Sequence, residues 1–89
     1  MLKQQIKVVN KLGLHARASA KLTALASKHA SAVWISRNDR RVNAKSIMGV
    51  MMLAAGIGST VELETEGADE AEAMAAIVKL FADKFGEAE

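Results

Sequence analysis

The chain opens on an alternation. Leu2, Gln4, Ile6 and Val8 take one parity and Lys3, Gln5 and Lys7 the other, a period of two that predicts a strand with one wet face. Asn10 to Gly13 then form a connection, and the period lengthens. Ala18, Leu22, Leu25, Ala26 and His29 fall at i, i+4, i+7, i+8 and i+11, one buried stripe on a helix predicted from about Ala16 to Lys28. A second strand is predicted at Ala32 to Ser36, with Val33 and Ile35 inward and Trp34 outward as a packing residue on the open sheet face. A short third strand follows at Arg40 to Ala44, with Val42 and Ala44 inward. Asn38-Asp39 between them is a turn signal, so the pair reads as a hairpin.

Ser46 stands where an N-cap is expected. Behind it Ile47, Val50, Met51 and Ala54 follow one helical spacing, while Met48, Met52 and Ala55 follow another. So short a helix in so small a domain cannot bury both stripes, which leaves Met48 and Met52 as interface candidates, since exposed methionines adapt to varied partners. Gly56 is expected to end this helix, and Gly56-Ile57-Gly58 reads as a turn. Val61, Leu63 and Thr65 then alternate with Glu62, Glu64 and Glu66 as a fourth strand. Its outward row is acidic and that of the first strand carries Lys3 and Lys7, so opposite charges favour pairing strand four with strand one. Asp69 is expected to cap the last helix, with Glu72 completing a capping box. Met74, Ile77, Val78, Phe81 and Phe85 form its buried stripe. The order β-α-β-β-α-β-α over residues 1–89 reads as one α+β domain, a two-layer sandwich with helices over one apolar sheet face.

Composition narrows the classes. There is no cysteine, so neither a disulfide framework nor a thiolate metal site is available. No apolar run approaches the roughly 20 residues a bilayer crossing needs, and Met1-Leu2-Lys3-Gln4-Gln5 leads straight into the first strand, so the expected compartment is the cytoplasm. The net charge of +2 hides an asymmetry: residues 1–60 hold ten Lys/Arg and one acid, residues 61–89 two Lys and nine acids. A basic first part could meet nucleic acid in a small α+β binding domain. Trp34, Phe81 and Phe85 are the only aromatics, however, and offer no stacking platform. A basic docking face for acidic proteins fits better, with Arg17, Lys21, Ala24 and Lys28 along one side of the first helix.

The candidate chemistry lies in Lys11-Leu12-Gly13-Leu14-His15-Ala16-Arg17-Ala18-Ser19-Ala20-Lys21-Leu22. His15 falls at the switch from extended chain to helix, where backbone N–H groups lack partners and the dipole is positive. Arg17 adds a planar donor fork suited to phosphate. A nucleophile, a nest of N–H groups and an arginine together suggest a histidine that accepts and holds a phosphoryl group. The other histidine, His29, cannot share a metal with His15, because fourteen helical residues separate the two by roughly 21 Å. A structural role near the helix end is expected for it, and no metal site.

Gly13-Leu14-His15-Ala16-Arg17 resembles the phosphorylation motif of HPr, the histidine phosphocarrier family of the bacterial sugar phosphotransferase system. Lys45-Ser46-Ile47-Met48-Gly49-Val50-Met51 resembles the regulatory serine segment of the same family, and the likeness covers essentially the whole chain. It implies an open-faced sandwich with an antiparallel sheet ordered 1-4-2-3 under three helices. It also implies a stoichiometric carrier rather than an enzyme, without cofactor. Neutral His15 would take a phosphoryl group on Nδ1 from phosphorylated enzyme I, itself charged from phosphoenolpyruvate. The group would pass to an enzyme II A domain, with Arg17 steadying the phosphate. Ser46 would be the target of HPr kinase/phosphorylase. Ala16, Ala20, Lys21, Ala24 and Lys28, with Ile47, Met48, Met51 and Met52, are the expected partner contacts of a monomer. Where the family commonly has Pro-Ala after the arginine, this chain has Ala18-Ser19, which puts partner preference in question. A purely regulatory family member, in nitrogen or carbon metabolism, is the alternative: Asn10-Lys11-Leu12-Gly13 resembles nitrogen-branch paralogues, whereas the Ser46 block resembles the carbon branch.

Overall fold

The alternation at the start of the chain becomes an edge strand, and what it pairs with fixes the sheet. The computed structural model describes all 89 residues. It contains β1 (Leu2–Lys7), α1 (Ala16–Ser27), β2 (Ala32–Arg37), β3 (Arg40–Asn43), α2 (Ile47–Met52), β4 (Thr60–Glu66) and α3 (Glu70–Ala82), followed by a 3-10 turn at Lys84–Gly86. The strands form one antiparallel sheet in the order β1-β4-β2-β3. Lys3 stands directly opposite Glu64, and its ammonium lies 3.4 Å from the carboxylate, so the charge rows do align β1 with β4. Arg41 approaches the same carboxylate from β3, Nε to Oε2 2.6 Å, and its guanidinium lies 4.1 Å over the Trp34 ring. Glu64 is thereby buried on the open face of the sheet. The hydrogen bond from Arg41 holds its carboxyl below the ordinary range, against the opposing effect of burial.

The other face carries the core. Val33, Ile35, Val61 and Leu63 from the sheet meet Ala18, Leu22 and Ala26 of α1 and Ile77 and Phe81 of α3. Asn38 and Asp39 both take positive φ, 52° and 65°, between the paired residues Arg37 and Arg40. That is the mirror-image two-residue turn whose twist suits a hairpin.

Four local expectations change. In α2 only Val50 is buried, and Ile47, Met48, Met51 and Met52 are all exposed, because a six-residue helix rests a single turn on the core. Gly56 does not end that helix: Leu53 is the C-cap, and Ala54 takes the left-handed position at φ 50°. The Asp69 carboxylate turns away from its own helix and accepts from the N–H of Ala30 (3.1 Å) and Ser31 (2.9 Å) and from the Ser31 hydroxyl. Glu70, not Glu72, reaches back, accepting from Gly67 N–H at 3.1 Å. Finally, Phe85 does not continue α3. Positive φ at Lys84 and Phe85 reverses the chain, and the Phe85 ring meets Phe81 edge to face with centroids 4.8 Å apart.

Candidate functional site

The residues before His15 are held by the α2–β4 connection. Asn10 closes a turn, its side-chain amide donating to Gly13 O at 2.8 Å and its carbonyl accepting from Gly13 N–H at 3.1 Å. Gly13 has φ +63°, and a Cβ there would lie 2.4 Å from Ala55 O and 2.7 Å from Gly56 Cα. Only glycine permits both the conformation and the approach. Leu14 N–H then donates to Ala55 O at 2.9 Å. His15 follows as the N-cap residue of α1, with extended φ and ψ and no capping bond from its ring. The first helical bond runs from Ser19 N–H to His15 O, 2.9 Å. The N–H groups of Ala16, Arg17 and Ala18 therefore have no protein acceptor, which makes this end of a twelve-residue helix an anion site. Ala18 and Ser19 fit it well. Ala18 contributes an N–H that proline would lack, and the buried Ser19 hydroxyl ties the helix start to Leu14 O at 3.0 Å.

The ring itself is oriented from the far end of the chain. His15 Nε2 lies 2.5 Å from Glu87 Oε2, and Glu87 Oε1 accepts from Asn10 Nδ2 at 3.0 Å. A carboxylate only accepts, so in the neutral ring Nε2 carries the hydrogen and Nδ1, which has no protein partner, keeps its lone pair. The bond from Asn10, and next that from His15, hold the Glu87 carboxyl below its usual range. Lys21 Nζ donates to Phe85 O at 2.6 Å, Lys11 N–H donates to Glu89 O at 2.6 Å, and the Lys11 ammonium lies 3.3 Å from the Glu89 carboxylate. Together they fasten residues 85–89 beside the histidine. The resulting cleft of about 670 Å³ is lined by Lys11, Leu12, His15, Ala16, Arg17, Glu87, Ala88 and Glu89. Arg17 is exposed, and its guanidinium makes no hydrogen bond or ion pair.

Ala16, Ala20, Ala24 and Lys28 share the exposed side of α1 with Arg17 and Lys21. The Lys21 ammonium on that side also donates to Phe85 O. The charge asymmetry likewise serves the fold in part, through Lys3–Glu64, Arg41–Glu64 and Lys11–Glu89. Ser46 is the N-cap of α2, its Oγ accepting from Gly49 N–H at 3.2 Å. Asn10 and Glu87 were invisible as site residues: Glu87 stands 72 positions from the histidine it holds, and no local spacing encodes that contact.

The family model described as the PTS HPr component phosphorylation site matches residues 2–83. The chain belongs to the HPr family. The phosphocarrier protein HPr of Cupriavidus necator is 66% identical over 89 residues, covering all of both chains. The crystal structure of HPr-C-His from Thermoanaerobacter tengcongensis superposes with a TM-score of 0.96 at 46% identity, again over the whole of both chains. An HPr dimer from the same organism matches with a TM-score of 0.79 at 47% identity, over 98% of this chain and 100% of that one. The family is one of phosphocarriers of the phosphotransferase system, and the HPr sheet order 1-4-2-3 with three helices is the one observed.

Proposed function

We propose that His15 is the phosphoryl acceptor, charged by phosphorylated enzyme I and discharged to an enzyme II A domain. The Nδ1 lone pair attacks the phosphorus carried by the donor histidine. One N–P bond forms as the other breaks, and the donor imidazole leaves. The N–H groups of Ala16, Arg17 and Ala18 and the Arg17 guanidinium receive the phosphoryl oxygens. Glu87 keeps the hydrogen on Nε2 throughout. The protein is a stoichiometric carrier, not a turnover catalyst, and the transfer needs no cofactor or metal. Residues 1–89 act as one domain and one chain supplies every residue of the site, which supports a monomeric working unit.

Partners dock on Ala16, Ala20, Lys21, Ala24 and Lys28 of α1 and on Ile47, Met48, Met51 and Met52 of α2. The exposure of Met48 and Met52, 70% and 60%, supports this surface. Ser46, beside those methionines, is the substrate of HPr kinase/phosphorylase with ATP. No helix is long and apolar enough to cross a membrane, and the reading places the protein with its partners in the cytoplasm.

The observation that carries this reading is an imidazole with Nε2 held and Nδ1 unpartnered at an uncapped helix start. Incubation of His15→Ala with enzyme I and labelled phosphoenolpyruvate tests it. No label should be incorporated while circular dichroism stays native. Acid-labile phosphate persisting on the variant would move the site elsewhere.

A further inference from the structure

The end of α1 remote from His15 gathers three groups that the phosphocarrier site does not use. His29 lies just past the helix, its N–H donating to Ala26 O at 3.2 Å. Its Nδ1 is 3.1 Å from Leu25 O. A carbonyl only accepts, so Nδ1 carries the hydrogen and Nε2 offers its lone pair. A ring N–H donated to a backbone carbonyl is the support that metal-bound imidazoles use to fix tautomer and orientation.

Asp69 is held against this end of α1 by the bonds from Ala30, Ser31 N–H and the Ser31 hydroxyl. Glu72, in the first turn of α3, is exposed and makes no hydrogen bond or ion pair. One ligand atom from each of the three residues lies within 4.8 Å of the other two.

We propose that His29, Asp69 and Glu72 form a binding site for a divalent transition ion of the zinc class, completed by water. Hard cations such as magnesium and calcium take oxygen sets, whereas an imidazole nitrogen with two carboxylates suits zinc. Zinc–ligand bonds of about 2.0–2.2 Å need the ligand atoms drawn closer, and the exposed Glu72 side chain is the one able to swing inward. Two carboxylates balance the ion's charge, and the carbonyl end of α1 favours a cation. The amino end of α3 and the Lys45 ammonium, which donates to His29 O at 2.9 Å, oppose it and keep the affinity moderate. The ion ties the end of α1 to the start of α3 and leaves His15, roughly 21 Å away along the helix, untouched.

Zinc titration of the full chain, followed by calorimetry and thermal unfolding, tests the site against magnesium. One zinc per chain should bind, and a hundredfold excess over the dissociation constant should raise the thermal midpoint by roughly 10–20 °C, with no shift from magnesium. His29→Gln and Glu72→Gln should each weaken zinc binding about tenfold or more and remove the midpoint shift, whereas His15→Ala should bind zinc like the wild type. Glu72→Gln keeps the test sound, because that exposed residue supports nothing else. Zinc affinity surviving either ligand variant, loss of binding in His15→Ala, an equal response to magnesium, or no shift in the wild type would each overturn the assignment.

Discussion

Replacing Gly13 with alanine should damage both the fold and the site. At φ +63° a side chain is strained, and the added Cβ would lie 2.4 Å from Ala55 O and 2.7 Å from Gly56 Cα, both backbone atoms with little freedom to yield. The left-handed conformation costs about 1–2 kcal/mol for a residue with a Cβ. Forcing a methyl into a packed position costs about 1–3 kcal/mol more. The stiffer unfolded chain offsets about 0.4–1 kcal/mol. A net loss of about 2–4 kcal/mol follows, which in a chain of 89 residues lowers the thermal midpoint by something on the order of 10–20 °C. Gly58→Ala separates the two causes. Gly58 also has positive φ, 86°, but a Cβ there meets nothing within 4 Å, so only the strain remains. Differential scanning calorimetry of both variants decides the matter. A Gly13→Ala loss no larger than that of Gly58→Ala would refute the close approach to Ala55 and Gly56. Well below its midpoint, the Gly13 variant should also accept phosphate more slowly. Relieving the clash moves Leu14 off Ala55 O and shifts the helix start under His15, and a displacement of 1 Å can cost on the order of 10²-fold in rate.

Glu87→Ala removes the acceptor from Nε2, so nitrogen NMR should show a mixture of His15 tautomers and the phosphorylation rate should fall roughly tenfold; an unchanged tautomer and rate would take Glu87 out of the site. Asp69 has a folded pKa of about 2 against the ordinary 3.8, so its contribution to stability is fully present above about pH 4 and is lost as the pH falls towards 2. The midpoint difference between wild type and Asp69→Asn should narrow across that window, and a constant gap would contradict the bonds from Ala30 and Ser31. Ser46→Asp should keep the α2 cap and stabilise by about 0.3–1 kcal/mol at low ionic strength, while raising the apparent Michaelis constant for enzyme I through charge placed beside Met48 and Met52. A lowered midpoint would refute the cap, and unchanged transfer kinetics would refute the switch.

What could be read from the sequence was what is encoded locally or repeated in a row. Lys3 and Glu64 belong to charged rows whose complementarity survives errors of register, so the neighbourhood of β1 and β4 was legible. The bond from Gly49 N–H to Ser46 Oγ spans three residues and announces itself in the pattern. The anion site at Ala16, Arg17 and Ala18 is likewise a property of one helix start. Asp69 misled because its position in the pattern suits a cap, yet tertiary packing offers its carboxylate the donors of Ala30 and Ser31 instead. Phe85 sits four residues after Phe81 and looks helical, but two left-handed residues reach the same core position by another path. The bond from the Lys21 ammonium to Phe85 O was not legible, because no pattern predicts a contact with a residue 64 positions on. Glu87 was hidden for the same reason.

The span between His15 and Glu87 also has a meaning in time. During synthesis His15 leaves the ribosome 72 residues ahead of the carboxylate that orients its ring, which at about 5–20 residues per second is a delay of about 4–14 s. Through that interval the imidazole has no Glu87 carboxylate to hold the hydrogen on Nε2. On the function proposed above, a chain that has not yet reached Glu87 has the histidine without the carboxylate that orients it.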